Sequence, residues 1–236
     1  MNDNNKKDDR GYNQGWADSK STQIRAERRC DAMIETMKMD PNGTILEIGC
    51  GTGDIAFMLA QKSNMHVLGT DLCVPFIEEA RKNFIHPKLQ YDFLDFNKIG
   101  DFKEKKFDYI VGNGILHHLY HHLDTALVNL KKLLKPNGKI IFWEPNIYNP
   151  YVHLIFTYPY FREKAHLEPD EMAFSKSFIR KELKQSGFTD ISVSYRDFLL
   201  PGIPESLVKP SIIIGDLLER IPVLRAVSQS IYIVAS

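Results

Sequence analysis

The sequence is short of cysteine, has no surplus of either charge and no long apolar run, and each shortage removes a class of protein. Cys30, Cys50 and Cys73 are an odd, sparse set without CxxC spacing in 236 residues. They argue against a disulfide framework or a zinc site and for reduced thiols in a cytoplasmic protein. Lys plus Arg and Asp plus Glu number 30 each, so no global basic field gathers a polyanion, and nucleic acid is disfavoured as a substrate. The longest apolar stretches, near residues 151–161 and 211–218, are too short to span a bilayer. Residues 1–10 are polar and read as neither signal peptide nor anchor. What is present, 43% hydrophobic and 25% charged residues, suits one globular domain with elaborations.

Along the chain, residues 1–20 read as a polar lead whose only large apolar groups are Tyr12 and Trp16. A helix is expected over 22–39, ending before the turn Asp40-Pro41-Asn42-Gly43. The strand Thr44–Ile48 then runs into Gly49-Cys50-Gly51-Thr52-Gly53, and a helix follows from Asp54. Strand and helix alternate from there: strands at 66–71, 89–93, 107–111 and 139–143, helices opened by Pro75 and Asp124, and a closing turn Lys135-Pro136-Asn137-Gly138. From Asn146 the rhythm breaks into about thirty aromatic-rich residues without a clean period, which we assign to an acceptor pocket carrying Tyr148 and Tyr151. A helix near Ser177, a half-exposed strand at 191–195, an amphipathic helix near 212–221 and a last strand at 230–235 complete the pattern.

The strand-to-helix turn with glycine at 49, 51 and 53 is the sharpest chemical signal. Glycine permits positive φ and lets backbone approach a ligand, and the helix start behind it offers free N–H groups. Asp71, at the end of the next strand and 22 residues after Gly49, is placed to accept both ribose hydroxyls of an adenosine cofactor. The glycine spacing departs from the GxGxxG of dinucleotide folds. The run Ile45-Leu46-Glu47-Ile48-Gly49-Cys50-Gly51-Thr52-Gly53 resembles the class I S-adenosylmethionine-dependent methyltransferases. The likeness continues through Gly69-Thr70-Asp71-Leu72, Phe93-Leu94-Asp95-Phe96, Phe107 to Leu119 and Leu133 to Gly138.

That resemblance implies an α/β fold, a doubly wound, mostly parallel seven-stranded sheet with an antiparallel last strand. It implies S-adenosylmethionine as cofactor and S-adenosylhomocysteine as product. By the same resemblance the loop of Gly49, Cys50, Gly51 and Gly53 passes the methionine moiety and ribose, with Glu47 holding the loop. Asp71 takes the ribose hydroxyls and Leu72 lies on the adenine face; Asp95 accepts from the adenine amino group and the Phe96 N–H reaches a ring nitrogen. Gly112 and Asn113 line the methionine end.

A sulfonium methyl needs mainly an aligned acceptor, exclusion of water and, for some acceptors, a base. His118 is the first candidate for that base, with His117 and Glu144 beside it. Packing and capping are an equally good account of the histidines. The run from His117 to His122 also invites a metal, but no partner at a recognised zinc spacing completes it, so no metal is expected. Arg25, Arg28 and Arg29 read more readily as a solvated helix face than as an anion site. Tyr12, Trp16, Tyr148 and Tyr151 are the candidate acceptor contacts.

No Asp/Asn-Pro-Pro-Tyr follows the fourth strand and no Pro-Cys nucleophile is present, which leaves small molecules, lipids or quinones, sugars and proteins; of these we expect a small-molecule or lipid- and quinone-like acceptor. A nicotinamide-dependent oxidoreductase and a non-catalytic cofactor-binding module remain as alternatives. Residues 1–40 are read as lead and lid, 41–146 as cofactor-binding core and 147–236 as acceptor segment and sheet completion of a single domain. Monomer and homodimer are both left open.

Overall fold

The computed structural model describes residues 19–200 and 202–236. Ser19 opens α1 (Lys20–Thr36), its hydroxyl accepting from the Thr22 N–H, and the helix stops short of the expected Met39. The strands are β1 (Thr44–Ile48), β2 (His66–Asp71), β3 (Leu89–Phe93), β4 (Phe107–Asn113), β5 (Leu134–Pro145), β6 (Ser192–Arg196) and β7 (Ser230–Ala235). They form one seven-stranded sheet in the order β3-β2-β1-β4-β5-β7-β6. Strands β3, β2, β1, β4 and β5 pair in parallel, while β7 runs antiparallel to both β5 and β6, as the resemblance implied.

Helices α2 (Asp54–Ser63), α3 (Val74–Asn83), α4 (Leu123–Leu133) and α7 (Lys176–Gln185) cover the sheet. Alternate strand residues feed two cores, the doubly wound arrangement that period-two alternation allows. Leu46, Ile110, Phe142 and Ile233 face the layer containing α4 and α7. Ile45, Val111, Trp143 and Tyr232 face the layer with α1, α2 and α3.

Three expectations change. The Lys135-Pro136-Asn137-Gly138 turn lies inside β5: Leu134 pairs with Phe107 and Lys139 with Tyr109, so residues 135–138 bulge from the ladder, with Asn137 at φ 65°. The aperiodic stretch after Asn146 contains α5 (Pro150–Thr157) and α6 (Pro159–Lys164), each with proline in its first turn. The amphipathic helix near 212–221 is α8, which starts earlier, at Glu205, and runs to Leu218 through Pro210. No helix among the described residues is long and apolar enough to cross a membrane.

Candidate active site

Every residue implicated in cofactor binding lies on β1, β2 or β4 or just after a strand, at the carboxyl edge of the parallel sheet where open α/β folds bind ligands. Gly49 sits at φ 66°, and a Cβ there would lie 2.5 Å from the Ile115 side chain. Gly51, at φ 53°, would meet nothing within 4 Å, so the space beside it is open to a ligand. Asp71 ties the loop: its Oδ2 accepts from the Gly51 N–H at 2.9 Å and its Oδ1 from the Cys73 N–H at 2.8 Å. Cys50 is buried and Leu72 partly so.

Glu47 is 2% exposed, and its Oε2 finds no hydrogen-bond partner among the described residues. Burial, then the nearby charges of Asp71 and Asp54, push its carboxyl up to about 8. An orphaned acceptor in a negative loop suits a ligand that brings positive charge and donors. S-adenosylmethionine, with a sulfonium, an ammonium and ribose hydroxyls, has those groups.

Asp95 accepts from the Asn97 N–H at 3.0 Å, and Asn129 of α4 fixes this turn by donating to the carbonyls of Phe96 and Asn97. The Phe96 side chain is buried in the core. Asn129 was not singled out from the sequence; only the fold brings it under the turn. Gly112 packs so closely that a Cβ would lie 2.5 Å from Phe142. The Asn113 Oδ1 accepts from Arg29 Nη1 at 2.7 Å.

That contact revises the reading of the arginines. Arg29 is 8% exposed, donates to Asp197 and Ser230, and its guanidinium is lowered by burial, then by Arg25, to about 10. Arg25 also reaches Asp197 at 2.6 Å, so only Arg28, paired with Asp216 at the surface, fits a solvated face. The helix α1 is thereby anchored to β4, β7 and the end of β6.

Glu144, 1% exposed at the end of β5, accepts from the N–H groups of Ile115, Leu116 and His117 and bonds His117 Nδ1 at 3.0 Å. It caps the turn that carries the histidines. The His117 ring also lies beside Gly114, where a Cβ would be 3.6 Å from its Cε1. His118 Nδ1 lies 2.7 Å from Glu171 Oε1, a second buried carboxylate, and the two imidazole centroids are 4.1 Å apart. Burial, then His117, holds the His118 imidazole below its ordinary value.

Glu171 was not found from the sequence. Its segment crosses back to the site, the Met172 N–H donating to the His117 carbonyl and the Phe174 N–H to that of Pro145. His117, His118 and Glu171 offer ligand atoms within 4.8 Å of one another, so they could hold a metal ion, with Glu171 as the partner missing from the local spacing. The direct His118–Glu171 contact also closes the set without one.

Tyr148, just before α5, and Tyr151, in its first turn, are 54% and 48% exposed. Tyr12 and Trp16 lie outside the described residues.

Residues 46–140 match the model of a methyltransferase domain family. A hybrid PKS-NRPS synthetase of Penicillium oxalicum is 36% identical over 113 residues, covering 44% of this chain and 3% of that protein. The chain therefore spans a small fraction of that relative's length. The ubiquinone/menaquinone biosynthesis C-methyltransferase of Desulfotalea psychrophila is 27% identical over 179 residues, covering 68% of this chain and 71% of that one. A SAM-dependent methyltransferase of Archaeoglobus fulgidus superposes with a TM-score of 0.62 at 17% identity, covering 90% of this chain and 93% of that one. The fold is that of the class I S-adenosylmethionine-dependent methyltransferases, and the methyltransferase-domain match falls on the part of the sheet that carries the glycine loop, Asp71 and Asp95.

Proposed function

We propose that the protein methylates a small-molecule or lipid-like acceptor that must lose a proton, and that His117 takes that proton. The observation that carries this reading is the 3.0 Å contact between His117 Nδ1 and Glu144. A carboxylate already held by three backbone N–H groups keeps the imidazole proton on Nδ1 and leaves Nε2 as the acceptor. On this reading Glu144 positions His117 and is not itself the base, while Glu144 and Glu171, the latter with Oε2 4.0 Å from His117 Nε2, stabilise the imidazolium that forms.

S-adenosylmethionine, when bound, supplies a methyl group activated for in-line displacement. Asp71 and Asp95 would hold the nucleoside and the Gly49–Gly53 loop the methionine end, and His117 would serve an acceptor aligned with the methyl. The Desulfotalea relative's description as a C-methyltransferase of quinone biosynthesis supports an enolisable or phenolic, lipid-like acceptor. The three free, buried thiols support a cytoplasmic setting.

The test is methyl transfer from labelled S-adenosylmethionine to a panel of phenols, enolisable ketones, amines and thiols. Phenols or enolisable ketones should be methylated, and His117→Ala should slow transfer by about 10²- to 10⁴-fold while S-adenosylhomocysteine still binds. Methylation of amines alone, or undiminished turnover by the folded variant, would refute the assignment.

A further inference from the structure

The helix α8 is apolar on both sides. Val208 and Gly215 face inward and are buried, Gly215 so tightly that a Cβ would lie 2.9 Å from Phe198. On the other side Leu207, Ile214 and Leu217, spaced by seven and three residues, are 52%, 57% and 60% exposed. The turns that follow leave Ile221, Val223 and Leu224 exposed as well, so the apolar surface continues past the helix end. A helix apolar all round is normally covered, and an exposed patch of this continuity marks an interaction site.

The charges indicate what covers it. The acids near the end of α8 are already engaged: Asp216 pairs with Arg28 at the surface, and Glu219, just past the helix, accepts from the Asp197 N–H at 2.7 Å. Lys209, Arg220 and Arg225 are exposed, with no ion-pair partner among the described residues. Arg225 adds to a further group of cations, its charge and that of Arg180 acting on Lys176 after burial to hold that ammonium down. A second copy meeting this face about a two-fold axis would set like charges against each other, whereas anionic phosphates would satisfy them.

We propose that the outer face of α8 and the turns after it dock on an anionic lipid bilayer, apolar side chains at the acyl boundary and Lys209, Arg220 and Arg225 among the headgroups. The docking face adjoins the candidate site. Asn146, two residues after Glu144, donates to the carbonyls of Ala226 and Ser228, and Asn149 donates to that of Val227. A lipid-dissolved acceptor would therefore reach the site from the surface on which the protein sits. That last consequence rests on the function proposed above; the docking does not.

The full chain is sedimented with phosphatidylcholine vesicles with or without about one-third phosphatidylglycerol. It should pellet with the anionic vesicles and less so as salt rises. Ile214→Gln with Leu217→Gln, and separately Arg220→Glu with Arg225→Glu, should each weaken binding about tenfold or more. Calorimetry with S-adenosylhomocysteine should show unchanged cofactor binding in both variants. Absence of wild-type pelleting, or equal pelleting of both variants, would overturn the proposal. So would a concentration-dependent dimer in light scattering that the same substitutions dissociate. Vesicle binding by a chain that fails to bind S-adenosylhomocysteine would count against the proposed function and leave the docking standing.

Discussion

On the function proposed, Asp71 does two things at once: its Oδ2 and Oδ1 accept the Gly51 and Cys73 N–H groups, and its charge draws the ribose hydroxyls. Asp71→Asn should weaken S-adenosylhomocysteine binding by about 1–3 kcal/mol, roughly 5- to 150-fold in Kd. Calorimetry measures it, with the apo melting curve separating lost ligand contacts from a loosened loop. Glu47 makes a prediction of opposite character. Its carboxyl, ordinarily near 4.5, titrates at about 8 in the folded protein because it is buried beside Asp71 and Asp54. The folded state thus holds the proton more tightly than the unfolded chain. The stability this contributes is complete below about pH 4.5 and is lost as pH rises through 8. Glu47→Gln, which cannot ionise, should be more stable than wild type to urea at pH 8.5, by an amount that vanishes near pH 4.5. At the histidine pair, Glu171→Gln should lower the His118 imidazole further, since the carboxylate is what opposes burial there. An unchanged titration in imidazole NMR would show that Glu171 does not act on His118.

Among the elements, β1 to β4 and β7 were legible because short apolar or β-branched runs end at glycine, acidic or proline punctuation, and their observed bounds differ little from the expected ones. Helices α5 and α6 were missed although Asn149-Pro150 and Tyr158-Pro159 are ordinary helix openings; crowded aromatics hid the period. The glycine loop and Asp71 could be read because their spacing is local to one βαβ unit. Glu171 and the burial of Arg29 could not, since each depends on a segment returning from far along the chain. The anchoring of α1 is a case in point. Burial would raise the Asp197 carboxyl, but Arg25 and Arg29 outweigh it and hold it below the usual range. This contribution is therefore present above the unfolded value near 3.9 and lost as pH falls through the folded one. Asp197→Asn suits the residue's φ of 74° and so removes charge without backbone strain. It should cost about 3–5 kcal/mol at pH 7 by leaving two guanidiniums unpaired, and progressively less in acid. Urea unfolding at pH 7 and at about pH 3 checks both arms.

At the scale of the whole molecule the proposed cofactor site is distributed: β1, β2 and β4, together with the turn after β3, would each supply part of it, and α4 pins that turn through Asn129. A ligand that bridges these elements binds the folded chain and has nothing to grip in the unfolded one. Its binding free energy therefore adds to global stability, by about 2.7 kcal/mol at a hundred times Kd. For a chain of 236 residues, with a melting shift of roughly 2–4 °C per kcal/mol, S-adenosylhomocysteine at that excess should raise Tm by about 5–11 °C. NADH at the same concentration should leave Tm unmoved, because the Gly49-x-Gly51-x-Gly53 turn lacks the dinucleotide spacing. The shift should shrink in Asp71→Asn and survive in His117→Ala, since the function proposed assigns the first residue to the ribose and the second to the acceptor. A shift with NADH and none with S-adenosylhomocysteine would return the chain to the oxidoreductases. A shift with S-adenosylhomocysteine that persists while no acceptor is methylated would leave a cofactor-binding module.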